Sequence, residues 1–127
     1  MKKYLEQNDF NNIDFLYNNS YLIENYIIAG TRAWNDDEVI VARELLRLEL
    51  SIQDGINKFG QEKEIIICLH YPPTKEFIDI MKKYNVKKCF YGHLHGEATK
   101  NAIEGNIEGI EFKLVSCDYL QFKLHII

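Results

Sequence analysis

Three of the four histidines in this 127-residue sequence lie directly after stretches that have the composition of buried strands. His70 follows the apolar run 65–69. His93 and His95 follow residues 86–91, which are predicted to be a second buried strand. Neutral imidazole binds zinc, iron and nickel, and it binds manganese in sites that also contain oxygen ligands. The type and the position of these three side chains therefore indicate a site for a divalent metal ion.

Residues 65–69 and 86–91 are predicted to form neighbouring parallel strands. Run 65–69 is too short for a helix and rich in β-branched residues, which favours a strand buried on both faces. Residues 71–85 have room for the crossover that parallel strands need. Apolar residues at helical spacing predict a helix in this crossover: Phe77, Ile78, Met81 and Tyr84. Because parallel strands end at one edge of a sheet, where open α/β sheets bind ligands, this βαβ unit brings the histidines together.

The spacing of His93 and His95 also suits metal binding. In an extended segment residues i and i+2 point to the same side, and Gly92 and Gly96 allow tight turns around a bound ion. Three histidines and a water also form an open mononuclear zinc site. The alternative is that these are ordinary loop histidines after strand ends. Their combination at paired strand ends favours the metal site.

The first part of the chain is predicted to contain a short helix and three strands. Residues 1–9 form the helix. Residues 13–17 and 21–24 flank an Asn-Asn-Ser turn and predict a hairpin. Residues 26–29 form a third strand, which Gly30 ends.

The stretch 36–59 carries the clearest helical pattern. Asn35 is the expected N-cap, acidic residues follow in the first turn, and Gly60 ends the helix. Apolar residues at spacings of three and four form one stripe along it: Val41, Leu45, Leu48, Ile52, Ile56 and Phe59.

Two alternating segments close the chain. Residues 110–114 and 120–126 alternate apolar and polar side chains, which predicts two half-buried strands paired antiparallel. His125 falls on the polar face and is expected to be solvated. Asp118 lies between the two strands, where a structural role is favoured over metal ligation. The predicted fold class is α/β, a mixed sheet with one βαβ unit and a closing antiparallel pair, in a single domain, 1–127.

Composition narrows the classes of protein to consider. Hydrophobic residues make up 46% and charged residues 27% of the chain, as in globular domains. A net charge of -4 argues against a nucleic-acid scaffold as partner, because phosphate backbones need clustered Lys and Arg. No apolar run approaches the roughly 18 residues that span a bilayer. The three cysteines stand beside apolar residues and are expected to be reduced, so we expect a cytoplasmic protein without a membrane partner.

Four segments of the sequence resemble a known family. Residues 69–73 (LHYPP) and 91–96 (YGHLHG) resemble the last two metal motifs of the calcineurin-like metallophosphoesterases. Residues 31–34 (TRAW) and 115–120 (VSCDYL) resemble segments of a bacterial branch of that family. The resemblance extends over most of the chain.

The resemblance implies a fold and a site. The family fold is a four-layer αββα sandwich, of which this chain would be the C-terminal half. By resemblance, His70 and His93 would bind one divalent metal ion and His95 a second, the ions being manganese, iron, zinc or nickel. Two such ions activate a water and hold the phosphate during hydrolysis of phosphomonoesters or phosphodiesters.

The earlier motifs of the family are absent. Asp-x-His, Gly-Asp-x-x-Asp and Gly-Asn-His-Asp/Glu do not occur in the sequence. In the family they supply the bridging carboxylate, the other ligands and the histidine that assists the leaving group. We therefore expect an incomplete metal site and a truncated phosphoesterase that is poorly active alone, from a truncated or split gene. Arg32 and Trp34 are expected either to line the substrate cleft or to pack at the start of the long helix.

Two alternatives to the truncated enzyme stay open. One is a non-catalytic binding or regulatory module. The other is one half of a split enzyme that a separate N-terminal polypeptide completes, with a phosphoester as its substrate. Because the missing half would leave a strand edge and an apolar face uncovered, we also expect a homo-oligomer, most simply a symmetric dimer.

Overall fold

A computed structural model describes residues 1–127 and contains a six-stranded mixed β-sheet. The strands are β1 (Tyr21–Ile23), β2 (Tyr26–Thr31), β3 (Glu64–Leu69), β4 (Lys88–Tyr91), β5 (Gly105–Ile107) and β6 (Ile110–Leu114). The helices are α1 (Lys2–Gln7), α2 (Glu38–Phe59) and α3 (Lys75–Lys83), and a 3₁₀ helix covers Gly96–Asn101. The α/β class expected from the sequence is confirmed.

The strands follow the order β1-β2-β3-β4-β6-β5. β2, β3, β4 and β6 are parallel neighbours, and β1 and β5 are antiparallel strands at the two edges. α3 connects β3 to β4, so the predicted βαβ unit is confirmed. α2 connects β2 to β3 and completes a second unit. Only the first of these two βαβ units is predicted from the sequence, because residues 26–29 are interpreted there as the last strand of an N-terminal meander.

The N-terminus of α2 is defined by a side-chain cap. Asp37, rather than the predicted Asn35, has extended backbone angles and accepts a 2.9 Å hydrogen bond from the backbone N–H of Ile40. Such a bond satisfies one of the free N–H groups of the first turn. Gly60 ends the helix as predicted, with a φ of 88° that favours glycine.

The core lies between α2, α3 and one face of the sheet. Alternate residues of each central strand point toward the helices, as the pleat requires. The main buried side chains of this core are Ile27, Ala29, Leu48, Ile52, Ile65, Ile67, Leu69, Phe77, Met81, Cys89, Tyr91, Ile110, Phe112 and Leu114. This packing fixes the carboxyl ends of β2, β3 and β4 relative to one another.

No helix contributes a buried side chain to the opposite face of the sheet. Ile66 and Phe90 lie outside the helix-packed core. The C-terminal segment covers part of this face, with the ring of the exposed His125 edge-on to Phe90 at a centroid distance of 5.6 Å. Leu124 in that segment is itself 96% exposed. Ile66 and Phe90 are buried, with exposed fractions of 1% and 7%, so the exposed apolar groups on this side of the sheet belong to the C-terminal segment.

Two predicted strands do not form. Residues 13–17 have no strand structure, and the hairpin consists of β1 and β2 instead. Residues 120–126 also form no strand, because the chain turns away after β6 with left-handed backbone at Gln121 and Phe122. β6 pairs parallel with β4 and antiparallel with β5. The predicted antiparallel pairing of residues 110–114 with 120–126 is therefore wrong.

Two further features of the chain are the apolar length of its helices and the state of its cysteines. None of the helices is long and apolar enough to cross a membrane. Cys68, Cys89 and Cys117 are free thiols.

Candidate metal centre

Backbone hydrogen bonds continue past the ends of the central strands and align the site. Tyr71 N–H donates to Arg32 C=O at 3.0 Å, which joins the segments after β2 and β3. Gly92 N–H donates to the carbonyl of His70 at 3.2 Å, which joins the segments after β3 and β4. The residues that follow these three strands therefore lie side by side at one edge of the sheet.

His70 and His93 are neighbours at this edge. Their ring centroids are 5.1 Å apart with an interplanar angle of 71°, and both side chains are exposed. A metal–nitrogen bond of about 2.1 Å places the centroids of two imidazoles on one tetrahedral ion about 5 Å apart. The spacing of the two rings therefore fits a shared ion.

The protonation state of His70 also suits a ligand. Desolvation by neighbouring protein atoms lowers the pKa of His70 below its usual 6.5, and electrostatic repulsion from His93, Arg32 and His95 lowers it further. Both effects disfavour the imidazolium form. The imidazole is thus held in the neutral form that binds metals near neutral pH.

The backbone at His93 is strained. Its φ is 70°, in the left-handed region, and Leu94 N–H donates to Gly92 C=O at 2.9 Å across it. This three-residue turn with positive φ is rare, and conformations of this kind cost about 1–3 kcal/mol. The sequence places the tight turns at the flanking glycines, and Gly96 does have a positive φ of 54°. Strain at a non-glycine residue is concentrated at functional sites, which adds weight to a ligand role for His93.

His95 has a different neighbour. Its Nδ1 lies 2.7 Å from Oδ1 of Asp118, whose Oδ2 accepts a 3.1 Å hydrogen bond from Gly96 N–H. The Gly96 bond, followed by the one to His95, lowers the pKa of Asp118. A carboxylate on Nδ1 favours the tautomer that leaves Nε2 free as a metal ligand. Asp118, predicted to be a turn residue between two strands, therefore orients a predicted metal ligand.

The three predicted metal ligands belong to two separate pairs of side chains. His70 and His93 adjoin each other, and His95 pairs with Asp118. No group of three or more His, Cys, Asp or Glu side chains converges in a way that could hold a metal ion. The donor chemistry of His70 and His93 fits one ion with two protein ligands. It does not fit a pair of ions, because no carboxylate bridges the two pairs.

Arg32, Trp34 and Tyr71 lie beside the histidines. The Arg32 guanidinium is 4.4 Å from the Trp34 ring centroid. The planes of Trp34 and Tyr71 are parallel within 4°, with centroids 6.4 Å apart. Tyr71 in turn lies 4.1 Å from the ring of His93. These contacts join Arg32 and Trp34 to the histidine edge of the sheet, and that the two side chains line a substrate cleft stays a prediction.

A buried carboxylate that no sequence motif marks holds the segment from Thr31 to Trp34 in place. Glu44 of α2 accepts hydrogen bonds from Thr31 Oγ1 at 2.7 Å, from Ala33 N–H at 3.1 Å and from Arg47 at 2.8 Å. Burial raises the pKa of Glu44, but these hydrogen bonds outweigh it and the net pKa is lowered. The sequence does contain a signal for the burial of Glu44. This residue lies four positions before Leu48 and therefore on the same, buried side of α2.

Ser116 lies behind the histidine loop. Its side chain is buried, and its Oγ has no hydrogen-bond partner. A Cβ placed on Gly92 would be 4.0 Å from that oxygen, so the hydroxyl adjoins the turn that carries His93. A buried unpaired hydroxyl costs about 1–3 kcal/mol.

Comparisons with protein-family models, with curated proteins and with solved structures found no match for this chain.

Proposed function

We propose that the chain is the metal- and phosphate-binding C-terminal half of a metal-dependent phosphoesterase of the αββα sandwich type. The observation that supports this most is the pair His70 and His93, which follow adjacent parallel strands with ring centroids 5.1 Å apart. The motifs at 69–73 and 91–96 supply these histidines in the order and spacing of the family they resemble.

Each residue of the site has a role in phosphoester binding. A divalent ion on His70 and His93 would supply Lewis-acid polarisation of a phosphoryl oxygen. Arg32 adds a permanent positive charge beside His70 that suits a phosphate. Asp118 binds Nδ1 of His95 and leaves its second nitrogen free as a metal ligand.

The chain lacks groups that rapid hydrolysis needs. It has no carboxylate between the two histidine-containing pairs and no proton donor assigned to the leaving group. Turnover of phosphomonoester and phosphodiester test substrates with manganese is therefore expected to be near the uncatalysed rate. Robust turnover that His70→Ala removes would contradict this half-site assignment.

The missing groups belong, on this proposal, to an N-terminal polypeptide, either joined to this chain or separate. The exposed apolar side chains of the C-terminal segment, which lies against Phe90 on this side of the sheet, support the idea, since the second sheet of the sandwich would cover them. A non-catalytic binding module is the second candidate. The cationic and aromatic side chains at the site favour this candidate, because such groups bind a ligand without any catalytic residue.

Binding of inorganic phosphate tests the proposal and separates the two candidates. We expect the zinc-loaded chain to bind phosphate at least about tenfold more tightly than the chain in EDTA, because metal coordination adds to the Arg32 contact. His70→Ala should abolish the difference, and His125→Ala, at an exposed histidine outside the site, should preserve it. Equal affinity with and without zinc would contradict the phosphoesterase assignment and favour the binding module.

A further inference from the structure

We propose that a small cavity between residues 16–18, the end of β2 and helix α2 binds the carboxylate group of a small organic acid. None of the histidines lines this cavity, and binding there needs no metal ion. The inference therefore goes beyond the proposed function.

The cavity is small and mostly polar. Its volume is about 250 Å³, which is the space of roughly eight molecules of liquid water at about 30 Å³ each. A small molecule fits this space, whereas a helix or a folded partner does not. The polar side chains that line it are Tyr17, Asn18, Thr31, Arg32, Glu44 and Arg47.

Hydrogen bonds to α2 hold the outer wall of the cavity in place. Ser51 Oγ donates to the carbonyl of Asn19 at 2.5 Å, and Asp54 accepts a 2.9 Å bond from the backbone N–H of Ser20. Asn18 has a left-handed φ of 57°, a conformation that asparagine adopts more readily than most residues. The wall is therefore formed before any ligand binds, which lowers the entropic cost of binding.

The charges that a ligand meets in this cavity are positive. The Glu44 side chain has no exposed surface, and its oxygens already accept bonds from Thr31, Ala33 and Arg47. The Arg47 side chain is 26% exposed, and Arg32 is exposed. A ligand in the cavity therefore contacts guanidinium groups and not the carboxylate behind them.

Both guanidinium groups have donors to spare. Arg32 makes no ion pair with any Asp or Glu. Arg47 donates to Glu44 through Nη1 at 2.8 Å, and its Nη2 makes only a long 3.4 Å contact with the hydroxyl of Tyr17. The planar fork of a guanidinium matches the two oxygens of a carboxylate.

The balance of charge favours an anion with a single negative charge. Burial raises the pKa of Glu44, but hydrogen bonds from Thr31 and Arg47 outweigh it, so Glu44 is ionised near neutral pH. Two guanidinium groups beside one carboxylate leave one positive charge without a partner. A carboxylate neutralises it, whereas a doubly charged phosphate would leave excess negative charge beside Glu44.

The alternative is that the two arginines have structural roles only. Arg47 would then neutralise Glu44, and Arg32 would only lie over the ring of Trp34, 4.4 Å from its centroid. On this alternative the cavity contains water, and no small anion prefers it over a neutral molecule of the same shape. A carboxylate and its amide therefore separate the two cases.

Trp34 is the only tryptophan of the chain, so its indole N–H gives one NMR signal, and Arg32 lies over its ring. We would titrate the full chain in EDTA with propanoate, propanamide and inorganic phosphate at constant ionic strength. The expected result is a saturable shift with propanoate, which binds at least about tenfold more tightly than propanamide or phosphate. Equal affinities for propanoate and propanamide, or tighter binding of phosphate, would overturn the inference.

Variants locate the bound carboxylate. Arg47→Gln also breaks the pair with Glu44, so Arg32→Gln, which touches no bond of Glu44, is the decisive variant. It should weaken propanoate binding at least about tenfold, because a charged hydrogen-bond donor is lost. Arg43→Gln is the matched control and should change nothing, since Arg43 lies 3.7 Å from the same carboxylate but does not line the cavity.

Two results with these variants would overturn the inference. One is propanoate binding that Arg32→Gln leaves unchanged. The other is propanoate binding that His70→Ala removes, because this would place the anion at the histidines and not in the cavity.

Discussion

The buried carboxylate of Glu44 accepts a 3.1 Å hydrogen bond from the backbone N–H of Ala33, a residue with a left-handed φ of 58°. Alanine rarely adopts this conformation, so the turn between Thr31 and Trp34 depends on the carboxylate that holds it. α2 thereby fixes the position of Arg32 and Trp34 beside the histidines. The long helix therefore shapes the site as well as packing on the sheet.

Replacement of Glu44 should be strongly destabilising. Glu44→Ala removes the partner of Ala33 N–H, of Thr31 and of Arg47, and we expect a loss of about 3 kcal/mol in the free energy of unfolding. Urea denaturation measures it. Glu97→Gln, which breaks an exposed pair with Lys100, is the matched control and should cost less than about 1 kcal/mol. Similar midpoints for both variants would show that the buried network contributes nothing.

The same carboxylate should make stability depend on pH. The pKa of Glu44 is lower in the folded chain than its usual 4.5, so the folded form binds fewer protons than the unfolded form. Its contribution is therefore full above pH 4.5 and is lost as the pH falls through the folded pKa. The stability advantage of the native chain over Glu44→Gln should shrink between pH 6 and about pH 3. An advantage that stays constant or grows on acidification would contradict the direction of the shift.

Gly30 should not tolerate a side chain. A Cβ at this position would lie 1.9 Å from the carbonyl oxygen of Cys68, which belongs to the neighbouring parallel strand and cannot move alone. We expect Gly30→Ala to lose about 3 kcal/mol. At Gly92 the nearest atom would be 3.7 Å away, an ordinary contact, so Gly92→Ala serves as the control with a loss below about 1 kcal/mol. Thermal denaturation of both variants checks this, and a Gly30→Ala midpoint equal to the native one would refute the close strand approach.

The chain is expected to form a dimer through the exposed apolar side chains of the C-terminal segment, which lies against Phe90 on the sheet face opposite the helices. A groove of about 480 Å³ there is lined by Phe90, Val115, Leu120 and Leu124 among others. Monomers rarely expose large apolar patches, and two-fold pairs are the commonest closed assembly. Light scattering should give twice the chain mass for the native protein.

A pair of charge substitutions tests that face specifically. Leu124→Lys should yield monomers, because the charge would be buried between the two copies. Val39→Lys, at a position 80% exposed on α2, should leave the dimer intact. A native chain that stays monomeric at high concentration and binds no hydrophobic dye would contradict the dimer.

The sequence predicts those parts of the site that follow from local pattern. Residues 65–69 are identifiable as a buried strand because their apolar run is short and β-branched, and this locates His70 at a strand end. Alternation at 120–126 is equally regular but forms no strand, because its predicted partner β6 already pairs with β4 on one edge and with β5 on the other. The bond between His95 and Asp118 joins residues 23 positions apart, and no local pattern encodes such a contact.

A zinc titration of the purified chain by calorimetry tests the metal assignment most directly. At most one weakly bound ion per chain is expected, because His70 and His93 are two ligands with no bridging carboxylate. His70→Ala and His93→Ala should each abolish binding, while His125→Ala should leave it unchanged. Two tightly bound ions per chain, or binding that survives loss of both His70 and His93, would contradict the assignment of this strand edge as a half-site for metal.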